Sequence, residues 1–357
     1  MKLYIDMIAF YLQKAGGITS VWKELLIRIL RDDSDIILIL QKRECSNIYF
    51  SQIMSFDPAV IYENGDHVNL NRYLPVRCSL TDGDLFVSTY YRIPKNSNIR
   101  QYVLVHDFTY EYYVKGIKRA VHSWQKKTSV KNADVIACVS ENTRKDLARF
   151  YPWSKEKKRF VLYNGVSACY RPIDGKGYIK ELGKYNNCEF LLYVGSRADY
   201  KRFDHAVDVA AHFGYSLVIV GGGNLNEKEC VYLENRLKEN YLHINAISDM
   251  ILNKVYNKAF ALIYPSEYEG FGLPIIEAQR AGCPVIARKG SSIDEVFGDS
   301  EYLMQANTLE EAGRIINLLK DPAGRDEYCK RGYRNSQRFD WEKTYTEWIK
   351  IIRFEIS

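Results

Sequence analysis

Glu269 and Glu277 stand eight positions apart in EYEGFGLPIIEA, the stretch from Glu267 to Ala278, on either side of a glycine loop and a predicted helix start. Pro274 suits a first helical position, because its missing N–H has no partner there and its φ is already helical. The helix is expected to run to Ala281, with Gly282 ending it and Pro284 forbidding continuation. Gly270 and Gly272 lack a Cβ, so the backbone can turn tightly and let a ligand approach its amides. Amides at a helix N-terminus make an anion site, usually for phosphate. Glu277, one turn in, is an acceptor-only group suited to a pair of sugar hydroxyls. The plain alternative is a capped helix with an acid near its positive end.

Other residues fit the same chemistry. In YVGSRADYKRF, Arg197 and Lys201 lie just past a predicted strand, and two cations four positions apart can grip a diphosphate, the arginine bidentately. Gly221, Gly222 and Gly223 close the next strand and suggest a turn near a nucleotide, but they do not form the GxGxxG of dehydrogenases. Gly16 and Gly17 follow the first strand, where a helix beginning near Thr19 could receive a ligand at its N-terminus; a simple tight turn is the rival reading. His106 and Asp107 end the run QYVLV, and a histidine there can donate to a sugar hydroxyl or to charge developing in a transition state. Ser140 or Asn142 caps the helix after VIACVS. Asp33-Ser34-Asp35 looks like a metal-binding Asp-x-Asp, but it precedes its strand and so falls at the amino end of the sheet.

These groups need a scaffold. Ten short apolar runs alternate with helical stretches: KLYI, DIILIL, DLFVS, QYVLVH, DVIACVS and RFVLYNG, then FLLYVG, SLVIVGGG, FALIYPS and PVIAR. Such runs predict parallel sheets covered on both faces. The pattern restarts after a polar, glycine-bearing stretch from Pro172 to Asn187, with a junction expected near residue 175. Two doubly wound units follow, binding ligands beyond the carboxyl ends of their strands, in the cleft between the halves. At 357 residues the chain is too long for one ordinary core, which agrees with two domains. The closing FDWEKTYTEWIKIIRFEI has apolar residues at helical spacing and predicts a packing helix.

Composition narrows the class. Hydrophobic content of 46% and charged content of 26% are those of a soluble globular protein. No apolar run approaches the ~18 residues of a membrane span, and the start does not read as a signal peptide, so the cytoplasm is the expected location. The eight cysteines show no CxxC pair and the six histidines are dispersed, so neither a disulfide framework nor a metal cluster is expected. Net charge is +6, yet the segment from Lys115 to Arg159 holds thirteen Lys or Arg against four Asp or Glu, a surplus of nine. Mixed with Tyr112, Tyr113, Trp124 and Trp153, that charge suits an anionic membrane surface or a phosphorylated substrate; an ordinary solvated face is the rival. No nucleic-acid motif accompanies it.

Taken together, the chain resembles the family 4 retaining glycosyltransferases of the GT-B fold. The resemblance spans nearly the whole sequence: Gly16-Gly17, His106-Asp107, SENT at Ser140, NGV at Asn164, Arg197 with Lys201, and the E-x7-E pair of Glu269 and Glu277. It implies an acceptor-binding Rossmann-like domain over 1–172, a nucleotide-sugar-binding one over 173–338, and a final helix over 339–357 crossing back to the first. It assigns the donor diphosphate to Arg197 and Lys201, the ribose to Glu277, and the donor sugar to Glu269 and the loop amides, with His106 by the reacting centre. The catalytic set is then His106, Glu269, Arg197 and Lys201. The donor-binding set is Gly16, Gly17, Arg197, Lys201, Gly270, Phe271, Gly272, Leu273 and Glu277. The family needs no metal and no further cofactor; the donor is a GDP- or UDP-linked sugar, mannose favoured. The acceptor is a hydroxyl of a glycan or lipid-linked glycan, as in O-antigen or capsule assembly. One departure is Arg202, where many members carry glycine or asparagine after the lysine. Rival functions are a catalytically silent sugar-nucleotide-binding subunit and an epimerase or phosphorylase on the same fold.

Overall fold

The ten predicted runs all form strands in a computed structural model of the chain, which describes residues 2–33, 35–63, 68–77, 80–81, 83–95, 98–174 and 177–355. They are β1 (Leu3–Asp6), β2 (Ile36–Gln41), β4 (Leu85–Ser88), β5 (Arg100–Val105), β6 (Val135–Cys138) and β7 (Lys158–Val161), then β8 (Phe190–Val194), β9 (Ser216–Val220), β11 (Ala261–Tyr264) and β12 (Val285–Ala287). Two strands were not foreseen, β3 (Ala59–Glu63) and β10 (Tyr241–Ile244). All pair in parallel, in the orders β3-β2-β1-β4-β5-β6-β7 and β10-β9-β8-β11-β12. Both unforeseen strands lie at sheet edges and carry half-exposed side chains, so neither shows the continuous apolar run that marks a central strand.

The chain divides into two compact units, Met1–Gly165 with Trp341–Ser357, and Val166–Asp340. The divisions fall at 165/166 and 340/341, against the expected 172/173 and 338/339. Residues 175 and 176, at the expected junction, lie outside the described residues, as does Ser34 of the Asp-x-Asp. Gly165 meets the backbone of Trp341 so closely that a Cβ there would sit 2.7 Å from its Cα. The Trp341–Lys350 helix belongs to the first unit: Trp348 is fully buried and meets Trp22 edge to face at 6.1 Å, and Arg28 Nε donates to Glu342 at 3.0 Å. Asp33, just before β2, accepts from Arg353 at 2.7 Å and so anchors the chain's end.

Each sheet reverses its winding at one place, between β1 and β4 in the first unit and between β8 and β11 in the second. Loops leaving adjacent strands there diverge to opposite faces and open a crevice at the carboxyl edge, the usual ligand site of open parallel sheets. At the first crevice Arg92 is buried with Asp6 (3.1 Å) and Glu63 (2.7 Å). Burial pushes the Asp6 carboxyl up to about 6, although the arginine opposes it.

Candidate active site

The second crevice gathers the cation and the acid loop. After β8 a single helical turn, Asp199–Lys201, sets Lys201 beside the loop that follows β11, and Glu267 N–H donates to Tyr200 O at 2.8 Å to tie the two together. Lys201 Nζ lies 2.8 Å from Glu269 Oε1, with both side chains mostly shielded (15% and 12% exposed). One of its three N–H bonds thus orients a carboxylate, and the charge stands in a region of reduced dielectric. Arg202, next in sequence, has φ 49, the left-handed conformation natural to glycine or asparagine, and its side chain is held by Asp204 and Glu267.

The acid loop runs into the Leu273–Arg280 helix, with Gly272 at its N-cap (φ 103) and Pro274 as second residue. It is pinned from behind by two serines that the sequence reading missed. Glu269 N–H donates to Ser291 Oγ at 2.9 Å, and Ser292 Oγ bonds the carbonyls of Glu269 (2.8 Å) and Phe271 (3.0 Å). Their only signal was a GSS at the end of β12. The Phe271 ring is buried against Phe339, so that side chain belongs to the core. Glu277 Oε2 accepts from Tyr256 Oη at 3.1 Å. Burial, then the Glu277 charge, pushes the Tyr256 hydroxyl well above its ordinary range, so it stays a donor that orients the carboxylate.

Arg197 is placed differently from the expectation. Its side chain is 3% exposed and pairs with Glu229 at 2.9 Å. Its terminal nitrogens donate to the carbonyls of Gly221 (3.0 Å), Gly222 (3.3 Å), Gly223 (3.1 Å) and Asn224 (2.9 Å). Every guanidinium nitrogen has a protein acceptor, so in place of an open grip on a diphosphate the arginine clamps the glycine loop. Gly221, Gly222 and Gly223 all take positive φ (86, 78 and 74), the conformations that curl their carbonyls around the guanidinium.

In the first unit, Gly16 caps the Gly17–Asp32 helix, which begins two residues before the expected Thr19 and after an unforeseen short helix, Ile8–Leu12. A Cβ on Gly16 would fall 2.7 Å from Gln13 Oε1, whereas Gly17 has open space around it. Ser140, of the two candidates, caps the Glu141–Phe150 helix, accepting from Thr143 N–H at 3.0 Å. His106 follows β5, mostly buried, with its backbone N–H on Tyr91 Oη at 3.3 Å and, among the described residues, no hydrogen-bond partner for Nε2. Burial first, and Lys126 besides, lowers the imidazole to about 4 against the opposing pull of Asp107, so it is neutral at physiological pH. Among the described residues no group of three or more His, Cys, Asp or Glu is placed to hold a metal ion, and no helix is long and apolar enough to cross a membrane.

Two parallel-sheet units of this winding define the GT-B class of glycosyltransferase folds. Over its full length the chain superposes on sucrose-phosphate synthase from Thermosynechococcus elongatus with a TM-score of 0.75 at 17% identity, each chain covered completely. It matches the Anabaena protein HepE, solved in complex with UDP-glucose, with a TM-score of 0.73 at 13% identity over 99% of each chain. Residues 176–338, most of the second unit, match the family described as Glycosyl transferases group 1. The O-antigen chain mannosyltransferase B of Escherichia coli is 26% identical over 237 residues, which are 63% of this chain and 62% of that protein.

Proposed function

We propose that the protein transfers a sugar, mannose first among candidates, from a nucleotide diphosphate sugar to a hydroxyl of a glycan or lipid-linked acceptor, with retention of configuration. The observation that carries this reading is the Lys201–Glu269 pair at the β8/β11 crevice, with Glu277 one turn into the helix that follows, all within the stretch that matches the group 1 family. Lys201 and the amides before the Leu273–Arg280 helix offset charge on the departing diphosphate. Glu277, held by Tyr256, receives the ribose hydroxyls. Glu269 contacts the donor sugar and neutral His106 serves the reacting centre; Arg197 acts through the glycine loop. No metal is required. The name of the Escherichia coli relative supports mannose and polysaccharide assembly.

Incubation with GDP-mannose, UDP-glucose, UDP-galactose and UDP-N-acetylglucosamine should release nucleotide diphosphate from one of them, GDP-mannose before the others, and a chelator should leave the rate unchanged. Neither release nor binding with any donor would overturn the reading, and loss on chelation restored by manganese would overturn metal independence.

The same reading includes attachment to an anionic membrane that presents the acceptor. What supports it is an inverted helix, Gly116–Asn132. Its inner face buries the polar His122, Gln125, Lys126 and Ser129, while Ile117 (83% exposed), Val121 and Trp124 (58%) form an outward apolar stripe at helical spacing. Lys118, Arg119, Lys127 and Lys131 are exposed on the same helix. Apolar residues among cations are the composition of an interfacial helix. Trp153, by contrast, stacks on Tyr151 and is half-buried. Sedimentation should show binding to phosphatidylglycerol vesicles, lost in high salt, and reduced about tenfold or more in Ile117→Ser/Trp124→Ser, since each cation contributes about 1 kcal/mol and the side chains add burial. Equal partitioning of variant and parent would remove the helix from the contact.

A further inference from the structure

Lys126 is among the least exposed residues of the first unit, a lysine with no solvent access at all. Burying an ammonium is expensive unless it is paired and hydrogen-bonded, and this one is placed with care. Its Nζ donates to the backbone carbonyl of Asp107 at 2.8 Å and to Glu111 Oε2 at 2.8 Å. It lies 4.3 Å from the centre of the Phe108 ring and 5.7 Å from that of Tyr91. The other Glu111 oxygen accepts from Tyr151 Oη at 3.3 Å. Three of these partners belong to or touch the turn that carries His106: Asp107 and Phe108 follow it directly, and the Tyr91 hydroxyl accepts its backbone N–H. Tyr91 holds this position at φ 56, a strained conformation for a bulky residue that persists only where its surroundings enforce it.

We propose that Lys126 is the positioning residue of His106: its buried ammonium locks the 106–108 turn and keeps the imidazole an uncharged partner for the reacting sugar. The proposal rests on the reading of His106 as a site residue. The charged and titratable groups around the turn come from four elements. They are Asp107 after β5, Glu111 on the Thr109–Tyr113 helix, Lys126 and His122 on the Gly116–Asn132 helix, and Tyr91 after β4, with Tyr151 behind Glu111. A cation here opposes a second positive charge on the imidazole and favours the Asp107 carboxylate. Burial pushes that carboxyl up, but the Lys126 charge and the Thr109 amide outweigh it and leave it below its ordinary value. A lysine kept only for packing would do neither.

The test is an NMR titration of the full chain labelled with 13C-histidine, the His106 signal identified by its absence in His106→Gln. In Lys126→Met the His106 midpoint should rise by about one unit, a tenfold gain in proton affinity. Because that variant strands Glu111 in the interior, Lys126→Met/Glu111→Gln is the folded control and should show the same direction of shift. A midpoint unmoved in the folded double variant overturns the proposal. The pH profile of donor turnover gives the functional arm: its acid limb should move to higher pH in the double variant, with the rate recovering above it. A uniform loss at every pH would mark a structural role and also overturn the proposal. If the parent protein turns over no nucleotide sugar, the proposed function falls while the titration still decides the role of Lys126.

Discussion

Donor turnover by Lys201→Met is expected to fall about 10²–10³-fold, the loss that follows removal of one preorganised group stabilising transition-state charge. Methionine keeps the length of the side chain and removes its charge, so the change isolates electrostatics from packing. In the parent the ammonium is held 2.8 Å from Glu269 Oε1 and lies 5.8 Å from the Tyr264 ring, so its position is fixed before a ligand arrives. A fixed charge in a shielded crevice requires little reorganisation as the diphosphate departs, which is why its effect should appear in kcat as well as in donor affinity. The substitution also strands the Glu269 carboxylate, at a stability cost of about 1–3 kcal/mol. Lys201→Met/Glu269→Gln should recover most of that stability without recovering turnover. Rates and urea midpoints measured on both variants separate the two effects. Turnover by Lys201→Met within about threefold of the parent, well short of one lost charge-assisted bond, would remove Lys201 from the diphosphate.

Arg197→Ala is expected to destabilise the second unit by about 2–4 kcal/mol, somewhat less than the loss of one partner from a fully buried ion pair because Glu229 is 18% exposed. The arginine holds four consecutive loop carbonyls, and alanine returns none of those bonds. Arg197→Lys should recover little, since a single ammonium cannot serve the spread of acceptors that a planar fork reaches. Gly222→Ala should damage the same assembly from the other side. Its Cβ would lie 2.7 Å from Gly195 O and would collide with the guanidinium, at a φ of 78 that alanine disfavours. Both variants should therefore lower the unfolding midpoint and weaken nucleotide binding together, by calorimetry. Weakened nucleotide binding in Arg197→Ala with unchanged stability would instead place the guanidinium on the diphosphate itself.

Local chemistry in the sequence was enough to read the acid loop. Glycine, proline and glutamate at their spacings dictate a tight turn and a helix N-terminus, and the Leu273–Arg280 helix begins and ends within a residue of that expectation. The ten central runs were legible because strands covered on both faces must be apolar throughout. Edge strands β3 and β10 escaped because exposure on one side relaxes that demand. The direction in which the Gly116–Asn132 helix faces was also out of reach. Periodicity assigns the apolar stripe to the core, yet here the buried face is mostly polar, with Lys126 bonded to Glu111 and Asp107 and His122 to Tyr90.

Partnerships belong to tertiary structure alone. Arg197 and Lys201 look alike in sequence as two cations past one strand, but their side chains leave the turn in different directions. One meets Glu229 and a loop that closes β9, and the other meets Glu269 beyond β11. The sequence by itself determined which residues could bind phosphate, sugar or a proton, because those capacities are properties of functional groups. Only the fold decided which cation stays available at the crevice and which is consumed in building it. That choice depends on acceptors brought together from distant parts of the chain, and a buried donor takes whichever of them the sheet order places within reach.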